Sequence, residues 1–410
     1  MKKELFINFL WRAIQTFGKQ GVFFLTFIIS TRLLPQYDFG IYSYVMATIM
    51  IFTLFCDFGI SQATSRHIAM HRESEEDTAE EVIFNMSLMV GLLSLISFIV
   101  LVSLGMLFYK ENFNLMLLAS PLILLIPLNS IQEGMYVGLE KFKKLSLIIV
   151  TTGIINILLS YILILKYGLV GVILAQILFY LISFLLLALF HGKIRLNYKR
   201  NIINNIVKYS IYIGISGLGY FLFSRIDIII LGYYGYIKEI ANYEIINKLF
   251  ALIIMPSAIY SSVISPKVSL MFHKKENAKI WSLYKKTILF TVISSLITIA
   301  FCYIFFGSFV KILFPNYSVN ELKYIFSILS ILIFSQMITS VISGGFSVST
   351  GHAKLNMYFL LVFGVLLIPI TFLAINLFQF EGVLYATVFV KIVSDILYIF
   401  KYTKIIKCIK

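Results

Sequence analysis

What most constrains this chain is a succession of apolar stretches, each long enough to cross a lipid bilayer. They lie near 5–30, 41–62, 82–108, 115–137, 146–165, 169–190, 209–231, 242–265, 287–306, 321–343, 355–378 and 382–400. A bilayer core about 30 Å thick takes roughly 20 apolar residues in a helix, and each stretch meets that length. The sequence therefore predicts an all-α polytopic membrane protein with about 12 transmembrane helices. Charged residues make up 13% of the chain, against about 25% in soluble proteins, which excludes an ordinary globular fold. The first stretch is too long and too polar for a signal-peptide core, and no small-residue cleavage site follows it, so no cleaved leader is expected.

The net charge of +15 would suit nucleic acid, but its distribution argues against such a partner. Of the 34 lysines and arginines, 23 fall at the two ends and in one alternate set of gaps, and six fall in the other set. By the positive-inside rule the rich side, with both termini, is cytoplasmic, as in a bacterial inner membrane. The acidic cluster Glu73, Glu75, Glu76, Asp77, Glu80 and Glu81 lies on that side as a solvated loop or helix start. Cys56, Cys302 and Cys408 are scattered and form no disulfide framework. All five histidines sit in cytoplasmic gaps. His67 and His71 have the spacing of a metal pair but no third ligand nearby, so neither metal nor cofactor is expected. With no histidine in a span, a histidine proton relay or a His-dependent acyltransferase is disfavoured.

The first stretch carries a polar stripe. Asn8, Arg12, Gln15 and Lys19 follow steps of four, three and four residues, which places them on one helix face. Cations facing lipid would cost about 2.5–3.5 kcal/mol each. A helix lying on the membrane surface would leave only Gly21–Ser30 to span, well short of the required length. The stripe therefore predicts a hydrated, positively charged path inside a helix bundle.

The two halves echo each other. Gly171-Val172 opens the sixth stretch and Gly382-Val383 the twelfth; Gly138-Leu139-Glu140-Lys141 precedes the fifth and Gly351-His352-Ala353-Lys354 the eleventh; Gly40-Ile41-Tyr42 opens the second and Ala241-Asn242-Tyr243 the eighth. The offsets are 211, 213 and 201. Six segments per half insert both halves the same way up. The expectation is a parallel repeat, residues 1–200 and 201–410, with a cleft that opens alternately to either side.

Further polar groups lie within the stretches. Thr53, Asp57 and Ser61 share a face, as do Asn129, Glu133 and Tyr136. Ser216, Tyr220, Ser224 and Asp227 line another, with Arg225 beside them. Glu244/Lys248 and Lys391/Asp395 are at i,i+4 and could neutralise each other along their helices. Asp57 lacks a cation on its own helix, so it either meets one from another helix or is a protonatable site. The unpaired charges away from segment ends are mostly cations, Arg12, Lys19, Arg225 and Lys248, a balance that suits a phosphate-bearing substrate.

At these residues the chain resembles the polysaccharide and O-antigen flippase branch of the multidrug/oligosaccharidyl-lipid/polysaccharide exporter superfamily. The matching stretches are Thr31-Arg32-Leu33-Leu34-Pro35 through Tyr42, Asp57-Phe58-Gly59-Ile60 through Ala69, Gly138 to Lys144, Gly168 to Gly171, and Asp227 to Gly232 through Tyr243. Ser265-Pro266, Leu313 to Tyr317, Gly351 to Lys354 and Glu381-Gly382-Val383 follow. The resemblance implies two six-helix lobes in a MATE-like V. It implies transfer of an undecaprenyl-diphosphate-linked oligosaccharide to the outer leaflet, exchanged for H+ or Na+, with a glycan polymerase as a further partner. It assigns the diphosphate to Arg12, Lys19, Arg225 and Lys248, with Asn8, Gln15 and Ser224 as polar lining and Asp57 and Asp227 as candidates for ion coupling.

Two other transporters compete with this reading. A MATE-type drug exporter would want acidic and aromatic residues where Arg12 and Lys19 stand. A peptidoglycan-precursor (lipid II) flippase usually carries two further helices. A sugar-porter motif is absent from Gly59 to Arg66. A membrane enzyme is disfavoured by the short outer loops and by the lack of any nucleophile, acid/base pair or metal set.

Overall fold

The computed structural model describes residues 2–71, 78–108, 111–190 and 196–409, with the side chains of 2–6, 8, 9, 106–108, 408 and 409 outside that description. Among the described residues there are helices and turns and no strand. The helices are α1 (Lys2–Leu33), α2 (Gln36–Asp57), α3 (Ile60–Met70), α4 (Ala79–Phe108), α5 (Phe113–Ala119), α6 (Leu122–Gly138) and α7 (Phe142–Leu189). They continue with α8 (Arg200–Tyr233), α9 (Ile237–His273), α10 (Asn277–Leu313), α11 (Val319–Val341) and α12 (Ala353–Ile409), a π-helical turn at Ile342–Ser347 preceding α12. Nine helical stretches among the described residues are long and apolar enough to cross a membrane, and α1 adds the striped one. This is a multi-pass membrane protein.

Two helices are too long for one crossing. α7 has 48 residues and α12 has 57, where about 20 suffice. Each bends at one residue outside helical geometry, Gly168 (φ 54, ψ −126) and Gln379 (φ 55, ψ −136). In a straight helix Gly171 would lie about 12 Å along the axis from Leu163. Instead, a Cβ on Gly171 would run into the Leu163 carbonyl oxygen, and one on Gly382 into that of Ala374, so the chain folds back tightly at both places. The apolar stretches of the sequence thus correspond to α1, α2 with α3, α4, α5 with α6, the two arms of α7, then α8, α9, α10, α11 and the two arms of α12.

The stretch at 41–62, expected as one span, is broken. Phe58 (φ 32) and Gly59 (φ 79) are left-handed and end α2. The Asp57 carboxylate accepts from the backbone N–H of Ser61 (2.8 Å) and from its hydroxyl (2.9 Å), which caps the new helix.

The chain divides into two compact units, Met1–Leu218 and Gly219–Lys410. In the first, α1 lies along the first arm of α7. The approach is close: Ser146 Oγ donates to the Trp11 carbonyl at 2.6 Å, and a Cβ on Gly153 would meet Val22. α3 and α6 approach closely at Gly134 and Gly138, where added Cβ atoms would meet the carbonyl oxygens of Ser61 and Ser65. Asn85 on α4 ties down the segment before α8, giving its amide to the Asn197 carbonyl (2.8 Å) and accepting from the Lys199 N–H (2.9 Å). Glu81 adds bonds to the Asn197 amide (3.0 Å) and the Lys199 ammonium (2.7 Å). The core of the second unit includes Tyr284, Phe346, Tyr398 and Tyr402, with the Tyr402 and Thr350 hydroxyls 2.9 Å apart.

The internal repeat is visible in the backbone. The bonds Leu139 N→Met135 O, Glu140 N→Val137 O and Lys141 N→Tyr136 O recur as Thr350 N→Phe346 O, Gly351 N→Val348 O and His352 N→Ser347 O. Glu140 (φ 55) and Gly351 (φ 80) hold the left-handed position in each. The register here is 211, as for Gly168/Gln379 and Gly171/Gly382, which corrects the 213 expected from aligning Gly138 with Gly351. The left-handed turn sets the alignment, and its second copy took the glycine that the first lacks. At the second helix of each half, Phe39 N→Pro35 O recurs as Ile240 N→Tyr236 O, in the expected register of 201.

Candidate functional site

Each unit carries charged side chains within its apolar helices. In the first unit the Lys19 end of the α1 stripe reaches α6. Lys19 Nζ lies 2.7 Å from Glu133 Oε1, both partly buried. Two turns towards the N-terminus, the Arg12 guanidinium donates to Gln15 Oε1 at 2.5 Å. Gln15 is buried, while Arg12 is exposed. Arg12 thus keeps open donors on a guanidinium that its neighbour holds in place, the geometry for gripping phosphate oxygens. The Asn8 side chain lies outside the described residues.

In the second unit the charges join α8 to α9. Arg225 Nη1 reaches both carboxylate oxygens of Glu244 at 2.8 Å, and Lys248 Nζ stands 3.9 Å from the same group. Asp227 is fully buried, accepting from the Ile228 N–H (2.9 Å) and from the Tyr243 hydroxyl. Ser224 is half-buried and donates to the Tyr220 carbonyl (2.7 Å). Farther along the chain, Lys391 and Asp395 on the second arm of α12 are buried, and Lys391 lies in the fields of Asp227 and Asp395.

The structure brings Arg225, Lys248 and Asp227 into one region of the second unit, and Arg12, Gln15 and Lys19 onto one face in the first. Among the described side chains Asp57 meets no cation from α1; its carboxylate caps α3. The surplus of unpaired cations expected from the sequence is smaller, because Lys19 is neutralised by Glu133 and Arg225 by Glu244. Neither pairing could be read from helical periodicity, which orders side chains along one helix and is silent on its neighbour. Tyr243 was legible only as part of a familiar stretch; its hydroxyl supplies a hydrogen bond that the buried Asp227 needs. Among the described residues no group of three or more His, Cys, Asp or Glu could hold a metal ion.

A sequence profile described as polysaccharide biosynthesis protein matches residues 5–272. An uncharacterized membrane protein of Methanocaldococcus jannaschii is 26% identical over 95% of both chains. Among solved structures, an inward-facing multidrug resistance MATE family transporter of the MOP superfamily superposes with a TM-score of 0.77. It is 16% identical and covers 97% of this chain and 98% of its own. The lipid II flippase MurJ in an inward closed conformation gives 0.75 at 15% identity, over 96% of this chain and 87% of its own. A MOP superfamily transporter from Pyrococcus furiosus, described as having a binding pocket of reverse polarity, gives 0.61 at 18% identity, over 98% and 94%. These structures share the fold.

Proposed function

The chain belongs to the polysaccharide biosynthesis protein family, and from that premise we propose that it is a flippase for a lipid-linked oligosaccharide. Its cargo is an undecaprenyl-diphosphate-linked repeat unit, carried across the cytoplasmic membrane for O-antigen, capsule or exopolysaccharide assembly. Both termini face the cytoplasm, and transport is driven by exchange for H+ or Na+. A glycan polymerase takes the product.

The observation that carries this reading is Arg12, a cation with open donors on a helix whose other residues are mostly apolar, two turns from Lys19 on the same face. A diphosphate offers the charge and the oxygen geometry that such a face would bind. Lys248, 3.9 Å from the carboxylate that Arg225 engages, places a second cation in that region.

The test is the leaflet distribution of a labelled lipid-linked glycan in cells with and without the protein. Accumulation on the cytoplasmic leaflet is expected on its loss. Normal export would overturn the reading, and a changed susceptibility to cationic drugs in its place would move the chain to the drug exporters.

A further inference from the structure

Three buried titratable side chains of the second unit stand outside the Arg225–Glu244 pair. Asp227 has a donor on each oxygen, from Ile228 and Tyr243. Lys391, 7% exposed, holds its ammonium 5.5 Å from the centre of the Phe223 ring. Asp395 follows one helical turn later and is 4% exposed, and its Oδ2 has no hydrogen-bond partner. The hydroxyls of Ser335 and Thr339 lie within hydrogen-bond reach of this carboxyl, shared with the carbonyls of Leu332 and Ser335, and neither serves Oδ2. A buried carboxylate oxygen left without a donor is costly.

The repeat supplies an independent observation. In the register of 211, Lys391 corresponds to Tyr180 and Asp395 to Phe184. In the register of 201, Tyr243 corresponds to Tyr42, and Asp227 falls at Thr26, or at Phe27 once the longer α8–α9 turn is allowed for. The first unit therefore builds the same helices with no charge at any of these places. The fold does not require the charges, although burying each ion costs several kcal/mol before pairing. Groups that a fold can do without, and that burden it, are candidates for function.

We propose that Asp395, Lys391 and Asp227 form a proton-exchange site in the second unit, with Oδ2 of Asp395 as the atom that takes the proton. A hydronium ion breaks one of its O–H bonds and gives that proton to Oδ2, leaving water, and the Lys391 ammonium is left to Asp227. Return of the proton to water restores the carboxylate and the cation between two anions. No other bond changes. Sodium suits this place poorly, because Lys391 already supplies the positive charge. The groups around the site are few. α8 adds Arg225, which Glu244 of α9 holds. α11 offers hydroxyls. The π-helical turn brings Ser347 beside the Tyr398 hydroxyl. α10 brings Tyr284, bonded to Thr403 at 2.6 Å about two turns farther on. Only the cargo that this proton would drive rests on the flippase reading; the site itself does not.

The test is infrared difference spectroscopy of the purified full chain in lipid nanodiscs, titrated between acid and neutral pH without any glycan. A protonated-carboxyl band is expected in the parent protein and in Asp38→Asn, and is lost in Asp395→Asn. The double variant Lys391→Tyr with Asp395→Phe, which copies the first unit, should unfold cooperatively and also lack the band, so a misfolded Asp395→Asn would not end the test. Survival of the band in both variants, or its appearance on adding sodium at fixed pH, overturns the proposal. If the band behaves as expected while glycan export proves normal without the protein, the flippase reading falls and the proton site stands.

Discussion

A single guanidinium nitrogen of Arg225 serves both carboxylate oxygens of Glu244, at 2.8 Å each, and so fastens α8 to α9. Removing one partner leaves the other charge uncompensated in an apolar surround. Glu244→Gln is expected to destabilise the protein by about 3–5 kcal/mol, and Glu244→Gln with Arg225→Met to recover most of that loss. Unfolding in detergent of the two single variants and the double measures the coupling; equal losses in Glu244→Gln and the double would show that the pair has none.

Arg12 and Lys19 should separate in their effects. Arg12→Ala removes open donors and strands no charge, only the Gln15 amide oxygen, so expression should stay near normal while glycan export falls by about tenfold or more, the equivalent of one charged hydrogen bond. Lys19→Ala also strands Glu133 and should lower stability, an effect that adding Glu133→Gln relieves. Unchanged export in the Arg12→Ala, Lys19→Ala double would remove the diphosphate from this face.

Glycines of one helix type should divide by what surrounds them. Gly134→Ala drives a Cβ to 2.5 Å from the Ser61 carbonyl oxygen, and a cost of about 1–3 kcal/mol is expected. Gly91 has nothing within 4 Å, so Gly91→Ala should stabilise by about 0.5–1 kcal/mol. Thermal unfolding of the two variants gives opposite signs if α6 and α3 meet as described.

Gln379 holds a backbone conformation (φ 55) that its repeat partner Gly168 adopts freely. Gln379→Gly should raise the unfolding temperature, by an amount equivalent to about 1 kcal/mol, and Gly168→Ala should lower it by a similar amount. A drop in both would mean that the Gln379 side chain contributes more than its backbone costs.

The helices were legible in the sequence because lipid demands long apolar runs, although α9 and α10, at 37 residues each, extend well past the runs that announced them. The breaks were harder to read. Asp57-Phe58-Gly59 sits inside an unbroken apolar stretch, and only left-handed geometry at Phe58 and Gly59 ends the helix there. The Lys19–Glu133 pair joins residues 114 positions apart, a distance at which local periodicity carries no information. The stripe that contains Lys19 was legible for the opposite reason, since its members are three and four residues apart. Lys391 and Asp395 read as a self-neutralising pair by spacing alone. Their standing changed once the repeat register placed Tyr180 and Phe184 opposite them.

The latch from Asn85 and Glu81 to Asn197 and Lys199 has a consequence for anyone who would take this protein apart. The second copy of the repeat starts at α8, yet Ile202 and Ile206 of that helix are buried with Val82 and Met86 of the first unit. The boundary suggested by the repeat and the boundary between the two compact units are therefore different lines. A pair of half-proteins cut at residue 200 would tear two isoleucines out of the first hydrophobic core. A cut after Leu218 would leave that core whole and hand the other half a helix that begins midway.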